Sequence, residues 1–461
     1  MADLSKSEFL KQINDLFLQV DNEILNYNWH KAIELLRKVE KISLDEKIDL
    51  TEIDCEIYYR LGELYQINAN FEKIEDSVLK NFQLSILNFQ KAYDIFKELK
   101  NEEKISETMG SINFLKYMVG SKEGSEENLL KTAKDNFKRA KQINLKNGNF
   151  TDFLKMALLE SRAINLLLGE KIIRIDEQTN FTALATEYEI LMTDIWDQIK
   201  KQQIFPEICH YHFFTSIMEF CQWALSYLTT ENSINQQHVM KNYDRIKEFI
   251  DIFEKTSNPP SLFVAYTFLA WFNTIIASYF VDSQFEQKKH LKIAEKWLKK
   301  ADPLLTKNIT NKAMVIFYYT RFSVSILLIS LGFFAKDFKH VMEDLDKCTN
   351  LLYVYFPRIL LAHSVFYAAS TFAIGALSLS IPDVNTSINL AKIALELLES
   401  AIPKISIITN PEYKIYDLFR KGVLCVLNAL LGDLIKDRKK GFEHLQMASE
   451  IFNDISNFSN P

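Results

Sequence analysis

The chain repeats itself. Residues 291–352, moved by 100 positions onto 391–452 without a gap, keep 14 of 62 residues identical. The shared set includes Lys292/Lys392, Ala294/Ala394, Leu298/Leu398, Ala301/Ala401, Pro303/Pro403, Gly332/Gly432 and Leu345/Leu445. The N-terminal half repeats with a shift of 48, which lays Gly62 on Gly110, Phe89 on Phe137, Ala92 on Ala140 and Ile95 on Ile143. A register of Gly, Pro and small residues held over such lengths points to a stack of similar units, each burying its apolar face against its neighbours.

One motif runs through both registers: a small residue, a large apolar residue four positions on, and a small residue three further. Its instances are Ala32-Leu36-Val39, Ser85-Phe89-Ala92, Ala133-Phe137-Ala140, Ala294-Leu298-Ala301, Val341-Leu345-Cys348, Ala394-Leu398-Ala401 and Gly441-Leu445-Ala448. Spacings of four and three place the three residues on one helical stripe. Small residues let a neighbouring helix approach, and the large one fills the space between them.

These residues resemble the tetratricopeptide family. Its second helix carries A-x-x-x-[FL]-x-x-A after a turn that Asn28-Trp29-His30-Lys31-Ala32 and Asp337-Phe338-Lys339-His340-Val341 match. Leu61-Gly62-x-x-Tyr65 looks like the family's first-helix L-G-x-x-Y. Motifs recur every 47 to 55 residues, so the likeness is to long-hairpin relatives of the family. The resemblance implies an all-α, right-handed superhelical solenoid of about nine antiparallel hairpins that binds another protein or a peptide segment.

Breaks at Asn147-Gly148-Asn149, Phe205-Pro206, Asn258-Pro259-Pro260, Phe356-Pro357 and Asn410-Pro411 divide the chain, because proline disfavours helix just before it. We expect hairpins over 1–148, divergent hairpins over 149–257, and hairpins with apolar first helices over 258–461, forming one continuous array. The low Gly (11) and Pro (9) counts disfavour turn-rich β folds. A net charge of −6 without a basic block disfavours a nucleic-acid partner. Five widely spaced cysteines and an N-terminus lacking an apolar run lead us to expect a reducing, cytoplasmic setting.

The C-terminal first helices are nearly uncharged. Residues 262–281 carry no charge, and 359–381 carry only His363 among titratable groups of this kind. Runs of that length raise a membrane reading. Their Ala, Ser, Thr, Asn273 and Tyr content, and the charges Glu219, Arg321 and Lys421 in equivalent slots, favour burial within the array. If first helices line a concave groove, Trp271, Tyr318, Tyr319, Tyr367 and Tyr416 are candidates to face it, with core packing as the alternative for each. Arg321 and Lys421 sit in matching slots one period apart and must reach solvent, an acid or a partner's carboxylate.

The sequence contains no phosphate-binding glycine loop, nucleophile elbow or H-E-x-x-H. Cys209, His210, His212 and Cys221 do not converge as zinc requires, and are read as packing. We therefore expect no catalytic residue, metal or cofactor. The leading expectation is a non-enzymatic scaffold binding a partner segment in a solenoid groove. The alternatives are a sensor holding a peptide or small apolar ligand inside the superhelix, and a membrane-attached helical protein.

Overall fold

The computed structural model describes residues 6–26, 28–45, 51–72, 75–120, 125–173, 178–227, 232–306, 309–331, 343–344, 347, 375–377, 383–401 and 414–458. Among them every regular element is helical. The helices are α1 Lys6–Leu25, α2 Trp29–Asp45, α3 Thr51–Asn68, α4 Glu75–Glu98, α5 Glu102–Met118, α6 Glu126–Asn147, α7 Phe150–Ile173 and α8 Gln178–Gln202. They continue as α9 Glu207–Tyr227, α10 Asn232–Phe253, α11 Pro259–Ile275, α12 Gln284–Ala301, α13 Asn311–Ser330, α14 Val384–Ala401, α15 Lys414–Leu434 and α16 Arg438–Phe458. A π-turn, Ile276–Phe280, extends α11.

Polar side chains set the helix starts. Asn101 accepts from the Lys104 amide (3.1 Å) and Ser125 from the Asn128 amide (3.2 Å). Asn258 accepts from the Ser261 amide at 3.1 Å, just ahead of the proline pair that opens α11. Each such cap satisfies an amide with no partner inside its helix. Gly148 ends α6 in the left-handed conformation (φ +74°), and the Asn149 side chain then caps α7 through the Asp152 amide at 3.3 Å. Gly at a helix end followed by Asn is the pairing such a break requires.

Successive helices pack as hairpins: α1 on α2, α3 on α4, α5 on α6 and α15 on α16. This is the arrangement of a helical tandem repeat. The small-large-small stripe is its buried seam, with Ala32, Leu36 and Val39, and also Ala133, Phe137 and Ala140, fully inaccessible. The large residue seats on a glycine of the preceding helix. A Cβ at Gly62 would lie 2.8 Å from the Phe89 ring, and one at Gly110 would lie 2.7 Å from Phe137. Leu445 occupies the same seat on Gly432. The Ser85 hydroxyl donates to the Gly62 carbonyl at 2.5 Å, which closes the small end of the seam. Val341-Leu345-Cys348 lies outside the described residues.

The chain forms two compact units. The first comprises Met1–Lys171, Gln178–Leu262 and Thr306–Asn311, and the second comprises Ile172–Glu177, Phe263–Leu305 and Lys312–Pro461. In the first unit α7 is the innermost helix, with every residue from 153 to 170 buried. Among the described residues one helix, Pro259–Phe280, is long and apolar enough to cross a membrane by length and composition, and 83% of its most apolar window is buried in the fold.

The glycine seats yield a test. Gly110→Ala gains up to about 1 kcal/mol of helix propensity but drives a methyl into a ring with no free volume, which costs about 1–3 kcal/mol. The clash outweighs the gain, so we expect a lower urea midpoint. Gly110→Ala with Phe137→Leu recovers part of the loss, and a strictly additive pair would contradict the seat.

Candidate functional site: the charged interior of the first unit

The residues proposed from sequence fall in the second unit. Trp271 is 4% exposed and packs beside Phe268 and Phe272; Tyr318 and Tyr319 are each 8% exposed. All three are buried within apolar helices whose described residues are mostly covered. Tyr367 lies outside the described residues, and Tyr416 lies on α15 with its side chain outside them. Arg321 is held by acids of its own chain: Nη1 donates to Asp302 Oδ1 (2.8 Å), Nε to Asp344 Oδ2 (2.6 Å) and Nη2 to Asp344 Oδ1. Its guanidinium also covers the Phe317 ring at 4.9 Å. Lys421, the slot-mate, lies 3.4 Å from Asp454. Both cations thus find internal acids.

The denser concentration of buried charge is around α7, in a stretch with no clean repeat motif. The Lys155 ammonium donates to Glu63 Oε1 (2.6 Å) and Tyr59 Oη (2.7 Å), both on α3. Lys104 on α5 bridges Glu107 (2.6 Å) and Asp152 (3.4 Å). Two turns along α7, Arg162 pairs with Glu219 of α9 at 3.1 Å and lies 5.2 Å from the centre of the Phe114 ring. Asn165 donates to the Ser216 carbonyl (2.8 Å), Ser161 bonds the Ser216 hydroxyl (2.7 Å), and Tyr117 donates to Glu170 (2.8 Å). The second helices are tied alike: Lys134 to Glu187 (3.1 Å), Arg245 to Glu189 (3.0 Å) and Trp196 Nε1 to Glu248 (2.5 Å).

These bridges share a period. Arg162–Glu219 spans 57 residues, Arg245–Glu189 spans 56, Tyr117–Glu170 and Lys134–Glu187 span 53 each, and Trp196–Glu248 spans 52. Each therefore joins one hairpin to the next, and polar pairs set the register where the apolar motif is missing. Buried ion pairs contribute little net stability, but their geometry excludes other packings. Their signal in the sequence was charge on more than one face of a Leu-rich helix, at Lys155, Glu160, Arg162 and Glu170.

Electrostatics follow from this burial. Desolvation alone would lower the Lys155 pKa, but Glu63, Glu107 and Asp152 outweigh it and raise it. Burial likewise works to raise Asp152, yet Lys155 and Lys104 hold its carboxyl below the usual range. Glu103, Glu107 and Asp152 bring ligand oxygens within 4.8 Å of one another, a spacing that could hold a cation. Two of its three carboxylates, Glu107 and Asp152, already pair with the Lys104 and Lys155 ammonium groups. Burial pushes the Cys209 thiol up to about 12 and the Cys221 thiol well above its ordinary value, away from the thiolate that nucleophilic attack or metal binding needs. His212 is pushed well down by burial and then by Arg162 and Lys155, so it is neutral. His210 donates from Nε2 to the Phe205 carbonyl (3.1 Å), while its Nδ1 meets Ser261 (2.9 Å) and Glu207 (3.0 Å).

No protein-family model matches the chain, and no curated protein matches it. Among solved structures it is similar to a circular tandem repeat protein with novel repeat topology and enhanced subunit contact surfaces. That alignment covers 88% of this chain and 97% of the other at 10% identity, with a TM-score of 0.34. A likeness that weak fixes neither family nor function.

Two measurements probe the interior. Lys155→Met leaves Glu63 without its cation and Glu107 and Asp152 with Lys104 alone, and should cost about 3–5 kcal/mol of unfolding free energy by urea titration, whereas Lys155→Arg should cost less. His212 refuses a proton that the unfolded chain binds near pH 6.5. Stability from this residue is therefore fully present above that pH and lost as pH falls below it. His212→Leu should show a smaller drop in melting temperature between about pH 7.5 and 5.5 than the parent.

Proposed function

We propose that the chain is a non-enzymatic scaffold whose repeats present a helix face to a partner protein. The observation that carries this reading is on α16, where Phe442 is 67% exposed and Phe452 61%. Ten residues apart, the two rings lie about 80° from each other around the helix, and exposed rings on one side of a helix are what an amphipathic partner helix covers. This moves the binding surface expected from sequence off the buried aromatics of α11 and α13 and onto the outer face of the α15–α16 hairpin.

The finer architecture belongs to the same proposal: about nine tetratricopeptide-like hairpins with a right-handed superhelical path. The shared motif and the glycine seats support it. A reducing, cytoplasmic setting is supported by the unpaired thiols of Cys55, Cys209, Cys221 and Cys425. Buried thiols with raised pKa values are poor nucleophiles, which supports a binding role over chemistry.

A photo-crosslinking residue placed at Phe442 in the full chain should trap one protein in stoichiometric yield from native extract. The same residue at Glu98 should not, and Phe452→Glu should abolish the product. Equal trapping at both positions, or none at Phe442, would contradict the assignment.

A further inference from the structure

We propose that the solvent face of α12 is a docking surface for an anionic lipid bilayer. The helix reads QFEQKKHLKIAEKWLKKA and carries six lysines against two glutamates, in a chain whose net charge is −6. Its inward stripe, Leu291, Ala294, Leu298 and Ala301, is at most 5% exposed and seats it in the second unit. The outward stripe is Phe285, Lys289, Lys292, Lys296 and Lys299, at alternating spacings of four and three. Phe285 is 73% exposed, the largest exposure of any big apolar side chain among the described residues. The turn before α12 adds Tyr279 at 54%.

The lysines of this stripe differ from three basic residues of α6. On α6, Lys134, Arg139 and Lys141 are neutralised by Glu187, Glu102 and Glu160 of neighbouring helices, at 3.1, 2.5 and 2.6 Å. On α12, Lys289 and Lys292 pair among the described residues only with Glu286 (3.0 Å) and Glu295 (2.7 Å) of the same helix, at exposed sites where such pairs weigh little. Lys296 and Lys299 have no ion-pair partner among the described residues. The face therefore keeps its positive field.

The composition of the face selects the occupant. Lysine is a mobile point charge suited to a diffuse anionic surface, whereas recognition of discrete carboxylates or phosphates favours the arginine fork, and the stripe has no arginine. An exposed phenylalanine at one end, in line with lysines that can extend their heads to the headgroup plane, is the pattern of a helix lying on a membrane surface.

The test is sedimentation of the full-length protein with vesicles of phosphatidylcholine alone or with about one-third phosphatidylserine. We expect binding only to the anionic vesicles, weakening as salt rises. Lys289→Glu, Lys292→Glu, Lys296→Glu and Lys299→Glu together should lower partitioning by at least about a hundredfold. Phe285→Ser should weaken it several-fold while preserving the salt dependence. All variants change exposed side chains, and their melting curves should match the parent's. The proposal is overturned by binding to neither vesicle or to both equally, or by a fourfold variant that binds like the parent. It is also overturned if polyglutamate or duplex DNA is retained through the same lysines while vesicles are not.

Discussion

The fold depends on one recurring contact: a large side chain of one helix set against a glycine of its hairpin partner. Phe89 on Gly62 and Phe137 on Gly110 are each at most 1% exposed, and any Cβ at either glycine would overlap the ring. Burying such a ring is worth about 1.5–3 kcal/mol, but its position does more than its area. A ring that fits in one place fixes both the spacing and the axial register of the hairpin. Small residues on either side then let the next helix approach, so one motif serves contacts within and between repeats.

Around α7 the same problem is solved with charge. The helix is enclosed from residue 153 to 170, and its cations lie among acids supplied by α3, α5 and α9. Taking an ammonium or guanidinium out of water costs several kcal/mol, so these groups are tolerable only when every neighbour is in place. The interior of the first unit is therefore intolerant of slippage, and its thiols and His212 are held in uncharged forms. The buried cations of this interior are paired with acids inside it, and the contacts proposed above lie on outer faces.

Much of the hairpin pattern was legible in the sequence. The breaks at Asn147-Gly148-Asn149 and Asn258-Pro259-Pro260 fall between helices, and the small-large-small stripe is the buried seam. Those signals are local, set by φ preferences and helical periodicity. The burial of the aromatic candidates was not legible in the same way. Trp271, Tyr318 and Tyr319 stand in apolar helices, and whether such helices wall a groove or fill a core depends on what packs beside them. Arg321 was singled out as a cation needing a partner, but Asp302 and Asp344 are 19 and 23 residues away in sequence. The Lys155 network was hidden for the same reason, since Tyr59 and Glu63 lie more than 90 residues upstream.

Native-state hydrogen exchange on the isolated protein tests the enclosed interior most directly. Amides of α7 from 153 to 170 should exchange only through global unfolding and be the slowest of the first unit, with α1 markedly faster. Exchange across α7 as fast as on α1 would mean that the first helices line an open groove, and would contradict the account.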